Sequence, residues 1–160
     1  MILGMSTPIF TLVHVVFSLI GMVVGAVVVL GLLDARRLSN WTAIFLVTTA
    51  ATSATGFLFH SHFGAAHVVG VISLAALAVG LLALYVYRLA GPWRWIYVAG
   101  SMLALYLNVF VGVVQAFQKL PFLRVLAPTG SEPPFVVAQV LVMAIFVALG
   151  IIAVKEFHPA

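Results

Sequence analysis

Cysteine is absent from the chain's 160 residues, and Asp and Glu together number three. Without thiols there is no disulfide, no thiolate metal ligand and no iron–sulfur cluster, and the redox compartment stays open. General acid–base pairs need carboxylates that the chain lacks. G-x-S-x-G, H-E-x-x-H, the P-loop and the glycine-rich dinucleotide turn are missing as well. Hydrolysis and group transfer are therefore unsupported, and no catalytic activity of its own is expected unless a bound haem or metal carries the reaction.

Charge of either sign is scarce too. Charged residues make up 6% of the sequence, whereas a soluble domain clothes itself with about 25%. With 65% hydrophobic residues and a mean hydropathy of +1.31, most of the exterior must have lipid as its solvent. The net charge of +4 comes from basic residues scattered along the chain. They form no stripe along which a phosphate backbone could lie, so nucleic acid is not an expected partner.

What is present is a series of five apolar runs, read as spans at about 8–33, 41–59, 65–87, 95–118 and 135–154. The expected fold is an all-α, polytopic membrane helical bundle of five transmembrane helices, one integral-membrane domain over 1–160. At 1.5 Å per residue, about 26 residues reach roughly 39 Å, enough to cross a hydrocarbon core of about 30 Å with tilt. No Lys or Arg precedes the first run, which is longer than a signal-peptide core, so it is expected to be a retained span. Ser6-Thr7-Pro8 is a helix entrance, with a hydroxyl for capping and a proline in the first turn. The connection 119–134 carries four prolines and an apolar first half, which is expected to lie along the membrane surface.

Small and polar residues mark the faces that meet other helices. Gly21 and Gly25 form a small-xxx-small pair, and Gly70, Ser73, Leu77 and Gly80 line one face of the third helix. Ser101, Ala104, Asn108, Gly112 and Gln115 make a narrow stripe on the fourth, expected to face protein because an amide turned to lipid leaves its bonding groups unpaired. Thr48, Thr52 and Thr55 share a face of the second helix. They line a polar interior or, the weightier account, bond back to their own helix carbonyls.

Five spans put the chain ends on opposite sides. Arg36, Arg37, Arg88, Arg94 and Lys155 fall on one side, and Lys119 and Arg124 on the other. Basic residues are retained in the cytoplasm, so the N-terminus is expected outside and the C-terminus inside. Trp41, Trp93 and Trp95 with Tyr85, Tyr87 and Tyr97 crowd the same basic side as an aromatic belt. The expected location is the cell membrane, multi-pass, and in a bacterium the inner membrane.

Histidine is the one side chain present that binds a metal tightly or changes charge near neutral pH. His60, His62 and His67 fall within eight residues at the corner between the second and third spans. His14 lies about six residues, roughly 9 Å, inside the first span at the same end. Gln115 is at comparable depth, while His158 belongs to the opposite tail. His14 and His67, joined by His60 or His62, are candidate ligands of a transition metal, copper or zinc, or the axial pair of a haem b. Such a site near the outer face makes the protein redox-associated, in electron transport, or an anchor for a redox partner.

The H-x-H-x4-H spacing is not a recognised metal signature, and for His60 and His62 the weightier account is an interfacial loop residue. His14 and His67 read equally as packing histidines bonded to a neighbouring helix. Tyr106, Asn108 and Gln115 are candidate pocket residues or helix glue. Two other classes stay open: a non-catalytic assembly subunit of a membrane complex or homo-oligomer, and a small-solute transporter or channel. No Asp or Glu lies within a predicted span, so carboxylate-coupled transport is not supported.

Overall fold

The computed structural model of the protein describes residues 1–59 and 64–159. In lipid, a backbone amide has no water to bond, and a helix satisfies its amides segment by segment. The chain accordingly forms α1 (Thr7–Leu33), α2 (Ser39–Gly56), α3 (Ala65–Leu81), α4 (Trp93–Lys119), α5 (Pro121–Leu126) and α6 (Pro133–Glu156). A 3-10 turn, Phe57–Phe59, prolongs α2, and a π-helical turn, Leu82–Val86, prolongs α3. Among the described residues there is no β-strand, and every helix but α5 is long and apolar enough to cross a membrane. The fold is the all-α bundle expected of five apolar runs. Successive spans alternate in direction. The start of α1, the Phe57–Phe59 turn and α5 therefore share one end of the bundle, the histidine end, and Trp41, Trp93 and Phe157 share the other, the tryptophan end.

Three helices start two residues before the sequence expectation, α2 at Ser39 and two others at proline. α6 begins at Pro133 and α4 at Trp93, directly after Pro92. Proline breaks a helix from inside, but in the first turn its missing N–H is one that no helix could satisfy. Pro133-Pro134 therefore opens a helix where it was expected to close a loop. Ser6 stands at the N-cap of α1, yet its side chain makes no capping bond. The six-residue α5 inside the 119–134 connection was not foreseen as a helix.

α4 is the central strut, packing against α1, α2, α3, α5 and α6. Tyr97, Val98, Ser101, Met102, Ala104, Leu105, Asn108 and Phe117 are its buried residues, the first seven recurring at helical spacing. The close approaches fall where glycine stands. A Cβ on Gly25 of α1 would lie 2.6 Å from Leu105 Cδ1 and 2.9 Å from a Phe45 ring carbon. α3 and α4 meet more tightly still, because a Cβ on Gly100 would lie 2.9 Å from the backbone oxygen of Ala76. Ser73, Leu77 and Gly80 of α3 are buried, as their shared face predicts.

The tryptophan end is closed by polar ties. Arg94 Nη1 donates to the backbone oxygen of Val154 at 3.2 Å and to that of Phe157, capping α6 from α4. Tyr87 and Trp93 stack with ring centroids 3.7 Å apart. Trp41, Trp95, Tyr85 and Tyr87 are exposed there, as a belt requires. Tyr97 leaves that belt: it is buried, its ring packs against Phe157, and its hydroxyl lies 3.4 Å from that of Thr42. α3 unwinds before its Gly-Pro signal, through Arg88 and Leu89 in the left-handed region at φ 49° and 60°. Such a conformation costs about 1–2 kcal/mol per residue away from glycine.

The glycine contacts yield a paired prediction. Gly100→Ala pushes a methyl group into a backbone carbonyl and should cost about 1–3 kcal/mol. Gly80→Ala, whose Cβ meets nothing within 4 Å, should be neutral or gain up to about 1 kcal/mol of helix propensity. Unfolding of the two variants in graded sodium dodecyl sulfate measures both, and equal effects would refute the close α3–α4 crossing.

Candidate functional site

His14 is half-buried on α1, with its ring edge-on to Phe59 at a centroid distance of 5.0 Å. Phe59 also meets the buried Phe10, so the 3-10 turn at the end of α2 is folded down onto α1. His14 Nδ1 lies 2.7 Å from Thr55 Oγ1. The Thr55 hydroxyl is itself 2.7 Å from the Ala51 oxygen and 3.1 Å from that of Thr52, which take its proton. With its own proton given to one of these carbonyls, Thr55 is an acceptor for the imidazole. That places the proton of a neutral His14 on Nδ1 and leaves Nε2 with a lone pair.

His67 is placed differently. It is buried in the first turn of α3, 5.3 Å from the Phe57 ring, and its Nδ1 accepts the Gly64 N–H at 3.1 Å. This is the reach-back half of a capping box, with imidazole in the place of Glu or Gln. A neutral ring accepting at Nδ1 carries its proton on Nε2, the tautomer opposite to that of His14. The two histidines lie against two different residues of one short turn, Phe59 and Phe57. α1 packs on α2, α4 and α6, while α3 packs on α2 and α4, so α2 and α4 both stand between the helices that carry them. His60 and His62, the other candidate ligands, lie outside the described residues. Among the described residues no three His, Asp or Glu side chains converge as a metal group.

The hydroxyl face of α2 follows the weightier account: Thr48 donates to the Ile44 oxygen, Thr52 to that of Thr48 and Thr55 to that of Ala51. Asn108 is buried at mid-span and bonded twice to α1, accepting from the Ser18 hydroxyl at 2.8 Å and donating to the Ser18 carbonyl at 3.3 Å. Thr49 faces the same point, with Thr49 Oγ1 and Asn108 Nδ2 each 3.1 Å from where a Gly21 Cβ would be. Tyr106 packs its ring against Phe110 and against Phe146 of α6. Gln115 was expected to face protein with Asn108, but it is exposed at the surface of α4. Near its C-terminal end α4 no longer has a neighbour on that side. Tyr106 and Asn108 are thus each engaged by a neighbouring helix, and Gln115 lies at the surface. Ser18 was overlooked, although Ser18, Gly21 and Gly25 sit three and four residues apart, the signature of a small-residue face.

At the same end, the turn before α6 is organised by Glu132. Its carboxylate accepts the Thr129 N–H at 3.0 Å, the Thr129 hydroxyl at 2.8 Å and the Ser131 N–H at 3.1 Å. Slight desolvation pushes this carboxyl up, but the bonds from Thr129 and Ser131 outweigh it and hold it down to about 2, from 4.5. The Thr-x-x-Glu spacing ahead of an apolar run was the available signal.

No protein-family model matches the chain, and no curated protein or solved structure matches it. Fold and contacts define a class: a small multi-pass membrane bundle, with one histidine tied to the neighbouring span and another capping its own helix.

Two predictions follow from these bonds. Asn108→Ala strands the Ser18 hydroxyl and should cost about 1–2 kcal/mol, with non-additive losses when combined with Ser18→Ala; a double-mutant cycle in detergent measures the coupling. Because the folded Glu132 carboxyl titrates below its free value, its stabilisation of the turn is complete above about pH 4.5 and is lost as pH falls toward 2. Hydrogen exchange at the Thr129 and Ser131 amides should quicken across that window, and Glu132→Gln should abolish the pH dependence.

Proposed function

We propose that the histidine end binds a transition metal ion, copper or zinc, and that the protein is a redox-associated membrane component or the anchor of a redox partner. The observation that carries this reading is the Thr55 hydroxyl behind His14 Nδ1. Metal-binding histidines almost always give their second N–H to an oxygen, which fixes the ring and directs the other nitrogen to the metal. His14 has that arrangement, and in sequence His60 follows directly on Phe59, the residue against its ring. The proposed ligands are His14 Nε2 with His60 and His62. His67, whose Nδ1 accepts from Gly64, serves as a donor at the edge of the site. A haem b between His14 and His67 needs a lone pair on each ring facing the iron, so the capping role of His67 favours a bare ion. The count of basic residues supports an outer location for this end.

A second reading, an assembly subunit without chemistry, has its own support in α6. That helix buries only Ala153 of its own residues, and Gln139 Oε1 is enclosed without a hydrogen-bond partner while its Nε2 donates to the Phe110 oxygen.

Elemental analysis and oxidised and reduced spectra of detergent-purified protein separate the readings. Stoichiometric copper or zinc is expected, lost in His14→Ala and bound about 10–100-fold more weakly in Thr55→Val. A Soret band would replace the bare ion with haem. Absence of both metal and haem, with a stoichiometric copurifying subunit, would overturn the site in favour of assembly.

A further inference from the structure

Beyond the histidines, the same end holds a cavity of about 370 Å³ between the end of α4, α5 and the turn before α6. Phe117 and Phe135 form its apolar wall, ring edge to ring face with centroids 5.4 Å apart, and Gln118, Arg124 and Thr129 stand among its polar lining. A second, more open recess of about 550 Å³ shares Arg124 and Pro128 with it and adds Lys119. Both volumes lie in the range of about 300–1,000 Å³ that suits small ligands.

Charge is the decisive feature. The chain has three carboxylates. Asp34 and Glu156 lie at the tryptophan end, and Glu132 is engaged by Thr129 and Ser131. Glu132 keeps its charge but makes its bonds to those two neutral residues, and among the described residues neither Arg124 nor Lys119 has an ion pair with a carboxylate, so two cations without an ion pair border one recess. The level in the membrane is set by α5, whose Phe122, Val125 and Leu126 are 66%, 78% and 53% exposed. Such a short apolar helix with an arginine on it sits at the boundary between acyl chains and headgroups.

We infer that this recess is a binding site for the phosphate headgroup of an anionic phospholipid. Arg124 holds the phosphate as a planar two-pronged donor and Lys119 adds a point charge. Gln118 supplies an amide for the glycerol part, and the acyl chains lie along Phe122 and Val125. The site is independent of metal binding, since none of its residues is a proposed ligand. A free phosphate has the same anionic chemistry but no use for the apolar wall and the exposed face of α5, which is why the lipid is the assigned occupant.

Native mass spectrometry of the full chain from nanodiscs tests this, comparing phosphatidylcholine alone with phosphatidylcholine doped with phosphatidylglycerol. The protein should retain phosphatidylglycerol in preference, and Arg124→Gln or Lys119→Gln should each weaken retention about fivefold, the worth of one basic residue at an anionic surface. Arg124→Lys, which keeps charge but loses the two-pronged geometry, should fall between. Arg36→Gln, at the tryptophan end, should leave retention unchanged. Both lipids held equally, or Arg36→Gln matching Arg124→Gln, would overturn the site. Displacement of phosphatidylglycerol by an equal concentration of inorganic phosphate would overturn the lipid as its occupant.

Discussion

A carboxamide in the middle of a membrane has to find partners or cost several kcal/mol, and Asn108 finds both of its partners on one residue of another helix. Its oxygen takes the Ser18 hydroxyl and its nitrogen reaches the Ser18 carbonyl, so α4 is tied to α1 at mid-span in register and in rotation. The neighbouring contacts depend on that tie. Gly21 has to lack a side chain because the amide and the Thr49 hydroxyl occupy the space. One turn further, Gly25 admits Leu105 and Phe45. With α1 rotated in this way, His14 faces Thr55 rather than lipid. The position of the histidine is thus a consequence of a carboxamide hydrogen bond made about one turn away along the helix.

The two ends of the bundle are closed by different chemistry. At the tryptophan end a cation does the work: Arg94 satisfies the last carbonyls of α6, which would otherwise face the interface unbonded. At the histidine end, imidazoles and a carboxylate serve. His67 caps α3, His14 joins α1 to α2, and Glu132 gathers the turn that feeds α6. A chain so poor in charge spends most of its polar side chains on its own backbone.

Much of this was legible from the residues. Five apolar runs of sufficient length leave helices as the only way to satisfy the backbone, and the spacing of Gly21 and Gly25, or of Ser73, Leu77 and Gly80, identifies the faces that touch. The back-bonding of Thr48, Thr52 and Thr55 follows from hydroxyl chemistry within a single helix. Less legible was anything that depended on where a second helix stops. Gln115 continues the stripe of Asn108 but emerges at the surface, and Tyr97 reads as an interfacial ring but packs inside against Phe157.

Composition and periodicity alone determined that the chain lives in lipid, how many times it can cross, and which end carries the imidazoles, because these depend on transfer energies and on the local geometry of one helix. The tertiary structure decided which nitrogen of each histidine is engaged, that α2 and α4 both stand between α1 and α3, and that Arg124 and Lys119 border one recess. Those are matters of rotation about helix axes and of approach between segments far apart in the chain. No single helix contains that information, since its period says which residues share a face but not which neighbour the face will meet.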